Sequence, residues 1–349
     1  MKIMYWLAAA AVLWVQADAH PTFSVGTATA ARGHRALGVI HVPPGSDAAY
    51  DIPVALVHGA RPGPVLAVVS GAHGTEYASI VAVEELITSS HIDPATLAGT
   101  LILVPIVNVN SFDKMTPHVN PTDNKSMNRF YPGSAGGTQT DRAALAVTRE
   151  VVDKCDHLID LHGGDLDENL RPYSYWTVTG NKAQDDASKL MVMAFGLDHI
   201  IIAADRPKDP NASRYLENTA SVRGKASFAA EAGRSGPVDR SDVRLLEEGV
   251  RRVMAHLKMT RETFAAPRPA VWVETVTVAA ERDGMFWPAV DRDAKVAKGA
   301  RLGAVSDLLH QGAQDIVAPD AGIVMFVRAL PTVHKGDTIA SIGVIKPAP

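Results

Sequence analysis

Residues 65–76 of the chain read Val65-Leu66-Ala67-Val68-Val69-Ser70-Gly71-Ala72-His73-Gly74-Thr75-Glu76. Val65–Ser70 is an unbroken apolar run, the pattern of a strand covered on both faces. The segment from Glu76 to Ser90 then sets Ile80, Val83 and Ile87 on one helical face. A buried strand, a Gly-containing turn and a helix begin a β-α-β unit, and this decides for an α/β fold. The same turn puts His73 and Glu76 three residues apart, on one side of the entry to the helix.

The alternation continues downstream. Leu101–Val107, His157–Leu161, Ile200–Ala203 and Ser227–Ala230 read as strands. Helices are expected with a cap at Thr140 or Asp141, over Ala187–Phe195, and roughly over Ser241–Met259. These elements predict a mixed, mainly parallel sheet flanked by helices. Ala265-Ala266-Pro267-Arg268-Pro269 reads as a linker. Short Val-rich runs broken by Gly, Asp and Pro follow, among them Val271–Val278 and Gly322–Val327, and they predict a small all-β domain. Asn108–Gly137 is polar, Gly-containing and about thirty residues long, and a structureless stretch of that length in a compact domain usually serves function.

A chain of 349 residues, 46% hydrophobic, can bury a large core. Its net charge of -4 gives no electrostatic footprint for nucleic acid. Residues 1–19 have the form of an export signal: Lys2, the apolar stretch Met4–Val15, then Ala17-Asp18-Ala19. That stretch is short of the roughly 20 residues that span a bilayer. The expected mature chain therefore starts near His20, is periplasmic or secreted, and has no stable membrane insertion. The expected units are a signal peptide over 1–19, a catalytic domain over 20–264 and a β-domain over 270–349. The single cysteine, Cys155, allows no internal disulfide and reads as a buried, inert thiol.

The expected strands deliver polar residues to one sheet edge, the edge at which open α/β sheets bind ligands. His73 and Glu76 follow the first strand, Asn108 the next, His162 ends a third and Glu231 a fourth. His73, Glu76 and His162 make a His₂Glu set, which suits a catalytic zinc with one coordination position open. A loop histidine beside a glutamate favoured by a helix N-terminus is the bland alternative. Glu231 closes the apolar run Phe228-Ala229-Ala230 and is the candidate general base; the alternative is a sheet-edge pair with Arg234 or Arg240. Asp160 shares a strand face with His162 and is placed to orient it. Asn128-Arg129, in the long loop, suits capture of a substrate carboxylate, or is a surface pair beside a turn. Tyr173, Tyr175 and Trp176 read as strand core.

Gly63-Pro64, Ser70-Gly71-Ala72-His73-Gly74-Thr75-Glu76, Asn128-Arg129-Phe130-Tyr131-Pro132-Gly133, Asp160-Leu161-His162 and Glu231-Ala232-Gly233 together resemble the succinylglutamate desuccinylase/aspartoacylase family, which is related to the zinc carboxypeptidases. The likeness spans roughly residues 38–349. It implies one zinc per chain on His73, Glu76 and His162, Asn128 and Arg129 on a substrate carboxylate, and Glu231 as base. It also implies a C-terminal β-domain flanking the site, marked here by Gly299, Gly303, Pro319, Gly322, Gly336 and Asp337. Relatives usually carry a further Arg upstream of the Asn-Arg pair that stabilises the developing oxyanion. No Arg lies between Arg61 and Arg129 here, and His118 and Lys125 are the local donors. The expectation is an exported zinc hydrolase cleaving an N-acyl amino acid or similar carboxylate-bearing amide. Carboxypeptidase action on peptides or peptidoglycan fragments is the alternative within that chemistry; a zinc- or ligand-binding protein without turnover is the alternative outside it.

Overall fold

The computed structural model describes residues 21–349, and the signal-like segment 1–19 lies outside the described residues. Thirteen strands share one sheet. Across its centre run Val271–Ala279, His199–Ala203, Tyr173–Thr177, Ala226–Glu231, His157–His162, Arg61–Ser70 and Ala98–Val104. Neighbours in this central run are parallel, except that Tyr173–Thr177 lies antiparallel to Ala226–Glu231. Antiparallel strands extend the sheet on both sides. Tyr50–His58 and His34–Val42 do so at one edge, and Thr338–Lys346, Gly322–Arg328 and Lys295–Val296 at the other.

The unbroken apolar strands follow from helices on both faces. Leu66 and Val68 point into a core shared with the helices Tyr77–Thr88, Lys182–Phe195 and Arg240–His256. Val65, Ala67 and Val69, alternating with them, pack on the other face under Gln139–Val147 and Leu216–Ser221. With both faces dry, ionisable side chains on these strands gather toward the ends, as Asp160, His162 and Glu231 do.

The chain beyond the linker is less separate than its composition suggests. Val271–Ala279 pairs in parallel with His199–Ala203, and so carries the C-terminal strands onto the main sheet. This covers what would otherwise be an unpaired edge. Gly284–Pro288, Arg301–Ser306, Gln314–Val317 and Thr332–Val333 form a second sheet, over a core that includes Phe286, Leu302 and Ile316.

Three local expectations shift. The helix expected to cap at Thr140 or Asp141 runs Gln139–Val147, because Thr138 and Asp141 form a capping box in which the Thr138 N–H donates to Asp141 Oδ2 at 3.0 Å. The sheet also begins earlier than the sequence alternation, with His34–Val42. The stretch 108–137 is not structureless: it contains the helix Val109–Lys114 and a 3₁₀ turn at Met127–Arg129. Gln139 Oε1 accepts from Asn110 Nδ2 at 2.6 Å and from Asn120 Nδ2 at 2.9 Å, pinning the loop to the helix behind it.

Phe228 is fully buried against Phe195 in the strand that ends at Glu231. Phe228→Ala is expected to lower stability by about 3–5 kcal/mol, read by denaturant unfolding. A loss below about 1 kcal/mol would contradict the packing of that strand.

Candidate active site

Strand register builds the site. Glu231 pairs with His162 on the adjacent parallel strand and with Tyr173 on its other side, so three side chains share one face at the sheet edge. Arg61–Ser70 lies on the far side of the His162 strand, and the chain leaves it through the turn bearing His73 and Glu76. Gly74 lets that turn press against the helix Val109–Lys114: a Cβ there would stand 2.2 Å from the Phe112 nitrogen.

The Glu76 carboxylate, 3% exposed, lies between two imidazoles. Its Oε1 is 2.7 Å from His73 Nδ1 and its Oε2 is 2.9 Å from His162 Nδ1. The Gly163 N–H also donates to Oε2, at 3.1 Å. One donor atom from each of His73, Glu76 and His162 falls within 4.8 Å of the others, the convergence a metal ion needs. Burial works against the Glu76 charge, but the two histidines outweigh it and hold the carboxyl well below the usual range. Burial likewise opposes charge on His162, and there Glu76 and Asp160 win and raise its pKa well above the ordinary value. Two imidazoles and a carboxylate are a borderline-soft N/O set, and they fit zinc.

The other nitrogen of His162 fixes which side of the ring is available. Asp160 Oδ1 lies 3.4 Å from Nε2, and the Asn128 side-chain amide meets the same nitrogen at 2.9 Å. Asn128 Oδ1 has no other partner. With the amide turned so that Oδ1 faces the ring, Nε2–H donates and Nδ1 is left toward Glu76. Asn128 is thus lodged against the histidine, while its neighbour Arg129 lines a cavity of about 550 Å³. The Arg129 guanidinium donates to the Asn128 carbonyl at 2.6 Å and lies over the Tyr215 ring.

Glu231 pairs with neither Arg234, which holds Asp239, nor Arg240, which holds Glu85. Its partner is the Tyr173 hydroxyl, which donates to Oε2 at 3.0 Å. Burial, reinforced by Glu76 and Asp160 against the pull of His162, raises the Glu231 carboxyl to about 7. Asn108 caps its own helix, accepting from Ser111 N at 3.2 Å, and stays clear of this group. Of the two local cations, Lys125 is bound to Asp141 at 2.6 Å. His118 lines the cavity, its Nε2 at 2.7 Å from Asp167, and the acids around it carry its pKa up to about 9 against burial. Cys155 is buried with its thiol pushed up to about 12, as an inert packing residue should be.

Tyr173 and Tyr175 pack in the strand core with Ile201 and Val273, as expected, and they also line the cavity. So does Glu168, which the sequence reading did not single out. The acidic run Asp165-Leu166-Asp167-Glu168 directly after His162-Gly163-Gly164 was the available signal. The role of Tyr173 depends on sheet order, which local pattern does not carry.

Because His162 is held protonated beside Glu76, coordination through Nδ1 must displace a proton. Adding a stoichiometric amount of zinc to metal-free protein in weakly buffered solution near neutral pH is expected to acidify it by about one proton per chain or more. Uptake without proton release would contradict this charge state.

A model of the succinylglutamate desuccinylase/aspartoacylase catalytic domain matches residues 62–257. The chain is 26% identical over 298 residues to the N-alpha-acetyl-L-2,4-diaminobutyric acid deacetylase of Halomonas elongata, covering 83% of this chain and 85% of that one. Its fold is similar to the product-bound ectoine utilization protein EutE (DoeB) of Ruegeria pomeroyi, with TM-score 0.81, 24% identity, and coverage of 93% of this chain and 99% of that one. It is also similar to a succinylglutamate desuccinylase/aspartoacylase from Rhodobacter sphaeroides, with TM-score 0.80, 22% identity, and coverage of 90% and 96%. With the catalytic-domain match extending over more than half its length, the chain belongs to the succinylglutamate desuccinylase/aspartoacylase family.

Proposed function

We propose that the protein is a zinc-dependent amidohydrolase that deacylates a small N-acyl amino acid. The observation that carries this reading is the register of Glu231 beside His162, one strand from the turn that brings His73 and Glu76 to the same point. His73, Glu76 and His162 would hold one zinc per chain, which when bound lowers the pKa of water and polarises a carbonyl. Glu231 takes the proton of the attacking water and returns it to the leaving amine. A carboxyl held up to about 7 can do both: it accepts when ionised, and it is then an acid strong enough to protonate an amine. The Tyr173 hydroxyl keeps its oxygen oriented. Arg129, with Asn128 beside it, anchors the substrate carboxylate. His118 lines the cavity as a cation, but both its ring nitrogens face acids, Nε2 at 2.7 Å from Asp167 and Nδ1 at 3.3 Å from Asp165, so it adds positive charge to the wall and no free N–H for the developing oxyanion.

The cavity volume of about 550 Å³ is that of a small-molecule site, which favours an acylated amino acid over a long peptide. The deacetylase of Halomonas elongata acts, by its name, on a carboxylate-bearing amide of this size. The C-terminal strands contribute Thr275, Thr277 and Ser341 to the wall, so the unit beyond residue 270 completes the site.

Glu231→Gln is expected to keep its zinc and to lose at least ~100-fold in kcat, measured by metal analysis and release of free amine. A variant as active as the parent would overturn the mechanism. Since the base works ionised, parental activity should fall as pH drops through about 7. The first nineteen residues are proposed to direct export and then be removed. N-terminal sequencing of protein recovered from the periplasm or medium should start near His20; a mature chain retaining Met1 would contradict it. Among the described residues no helix is long and apolar enough to cross a membrane.

A further inference from the structure

Arg129 is an exposed residue where it lines the cavity, and among the described residues it forms no salt bridge. Two contacts hold its guanidinium: it donates to the Asn128 carbonyl at 2.6 Å, and its central carbon lies 5.1 Å from the centre of the Tyr215 ring. An exposed arginine gives up much rotamer freedom when an anion fixes it, so a contact that fixes it beforehand strengthens binding. The Tyr215 ring is anchored from both sides. Behind it, the Tyr215 carbonyl accepts from Thr219 N at 2.9 Å and from Thr219 Oγ1 at 2.7 Å, at the start of the helix Leu216–Ser221. Ahead of it, Arg214 N donates to the Tyr131 carbonyl at 2.8 Å, in an antiparallel bridge two residues beyond Arg129. A second guanidinium, that of Arg206, approaches the same ring to 4.0 Å. Arg206 also lies 5.1 Å from the Tyr175 ring, and its Nε is 3.1 Å from Oε1 of Glu217, which is 2% exposed.

Of the two guanidiniums, Arg206 is committed to a buried carboxylate, while Arg129 keeps its charge for the cavity. A guanidinium lying on a ring face leaves its edge N–H groups free for in-plane hydrogen bonds, the direction from which a carboxylate is gripped. We propose that Tyr215 is a positioning residue: its ring face aims the Arg129 guanidinium at the substrate carboxylate, and its hydroxyl takes no part. The inference rests on the deacylase reading above, in which Arg129 anchors that carboxylate, and adds the group that aims it.

The test compares zinc-loaded parent, Tyr215→Phe and Tyr215→Leu on Nα-acetyl-L-norleucine and on its primary carboxamide, which lacks the carboxylate. Tyr215→Leu is expected to raise KM for the acid ~5-fold or more with kcat within ~2-fold, and to leave kcat/KM on the carboxamide within ~2-fold. Tyr215→Gln takes its place should the leucine variant not fold. Tyr215→Phe keeps the ring and should retain the parental values on both substrates. In an Arg129→Ala background, Tyr215→Leu should add no further loss, since the ring acts through that guanidinium. An unchanged KM, equal losses on acid and carboxamide, or a Tyr215→Phe enzyme as impaired as Tyr215→Leu overturns the proposal. If the parent hydrolyses neither substrate, the deacylase reading fails on these probes, and crystal structures of the parent and Tyr215→Leu decide the inference instead. An Arg129 guanidinium ordered over the ring in the parent and displaced in the variant supports it; one that keeps its place without the ring overturns it.

Discussion

Everything in the site hangs on the Glu76 carboxylate, held at 2.7 Å and 2.9 Å between the Nδ1 atoms of two histidines. A carboxylate that is 3% exposed at the end of a double-faced sheet persists only if cations surround it. The fold supplies the histidines through backbone register. Three neighbouring strands end at one level, the turn after the first brings His73 and Glu76, the end of the second brings His162, and the end of the third brings Glu231. Slipping the Glu231 strand by one residue would turn that carboxyl to the opposite face, into the apolar core.

The buried charges around this point do not balance among themselves. Glu76, Asp160 and Glu231 converge on His162, while Glu217, also buried, is 3.1 Å from the Arg206 guanidinium. Both oxygens of Asp160 lack hydrogen-bond donors. A protonated histidine offsets one negative charge; the excess is what a divalent ion would offset. The raised Glu231 carboxyl belongs to the same accounting. Positive charge is kept to the other walls, on Arg129 over Tyr215 and on His118.

Much of this was legible in the sequence. Uninterrupted Val/Leu/Ala runs can be stable only between two helical layers, so Val65–Ser70 announced the sheet. Polar residues immediately after such runs had to lie at its edge, which gave His73, Glu76, His162 and Glu231. What local pattern could not carry was the order of the strands. Tyr173 contacts Glu231 because an antiparallel strand is inserted beside Ala226–Glu231, and nothing in Tyr173-Ser174-Tyr175-Trp176 distinguishes that from core. For the same reason composition marked a small β-domain beyond residue 270 without showing that Val271–Ala279 continues the main sheet. Asn128 sits at His162 because its loop folds back across the edge, a path set by Gln139 and the Thr138 cap far along the chain.

His73, Glu76 and His162 are proposed to form one zinc site. The most direct measurement is anomalous X-ray diffraction at the zinc absorption edge from crystals of zinc-supplemented protein. One strong peak per chain is expected, at about 2.0–2.2 Å from His73 Nδ1, His162 Nδ1 and a Glu76 oxygen. No peak among these three residues, or a peak bound through other side chains, would contradict it.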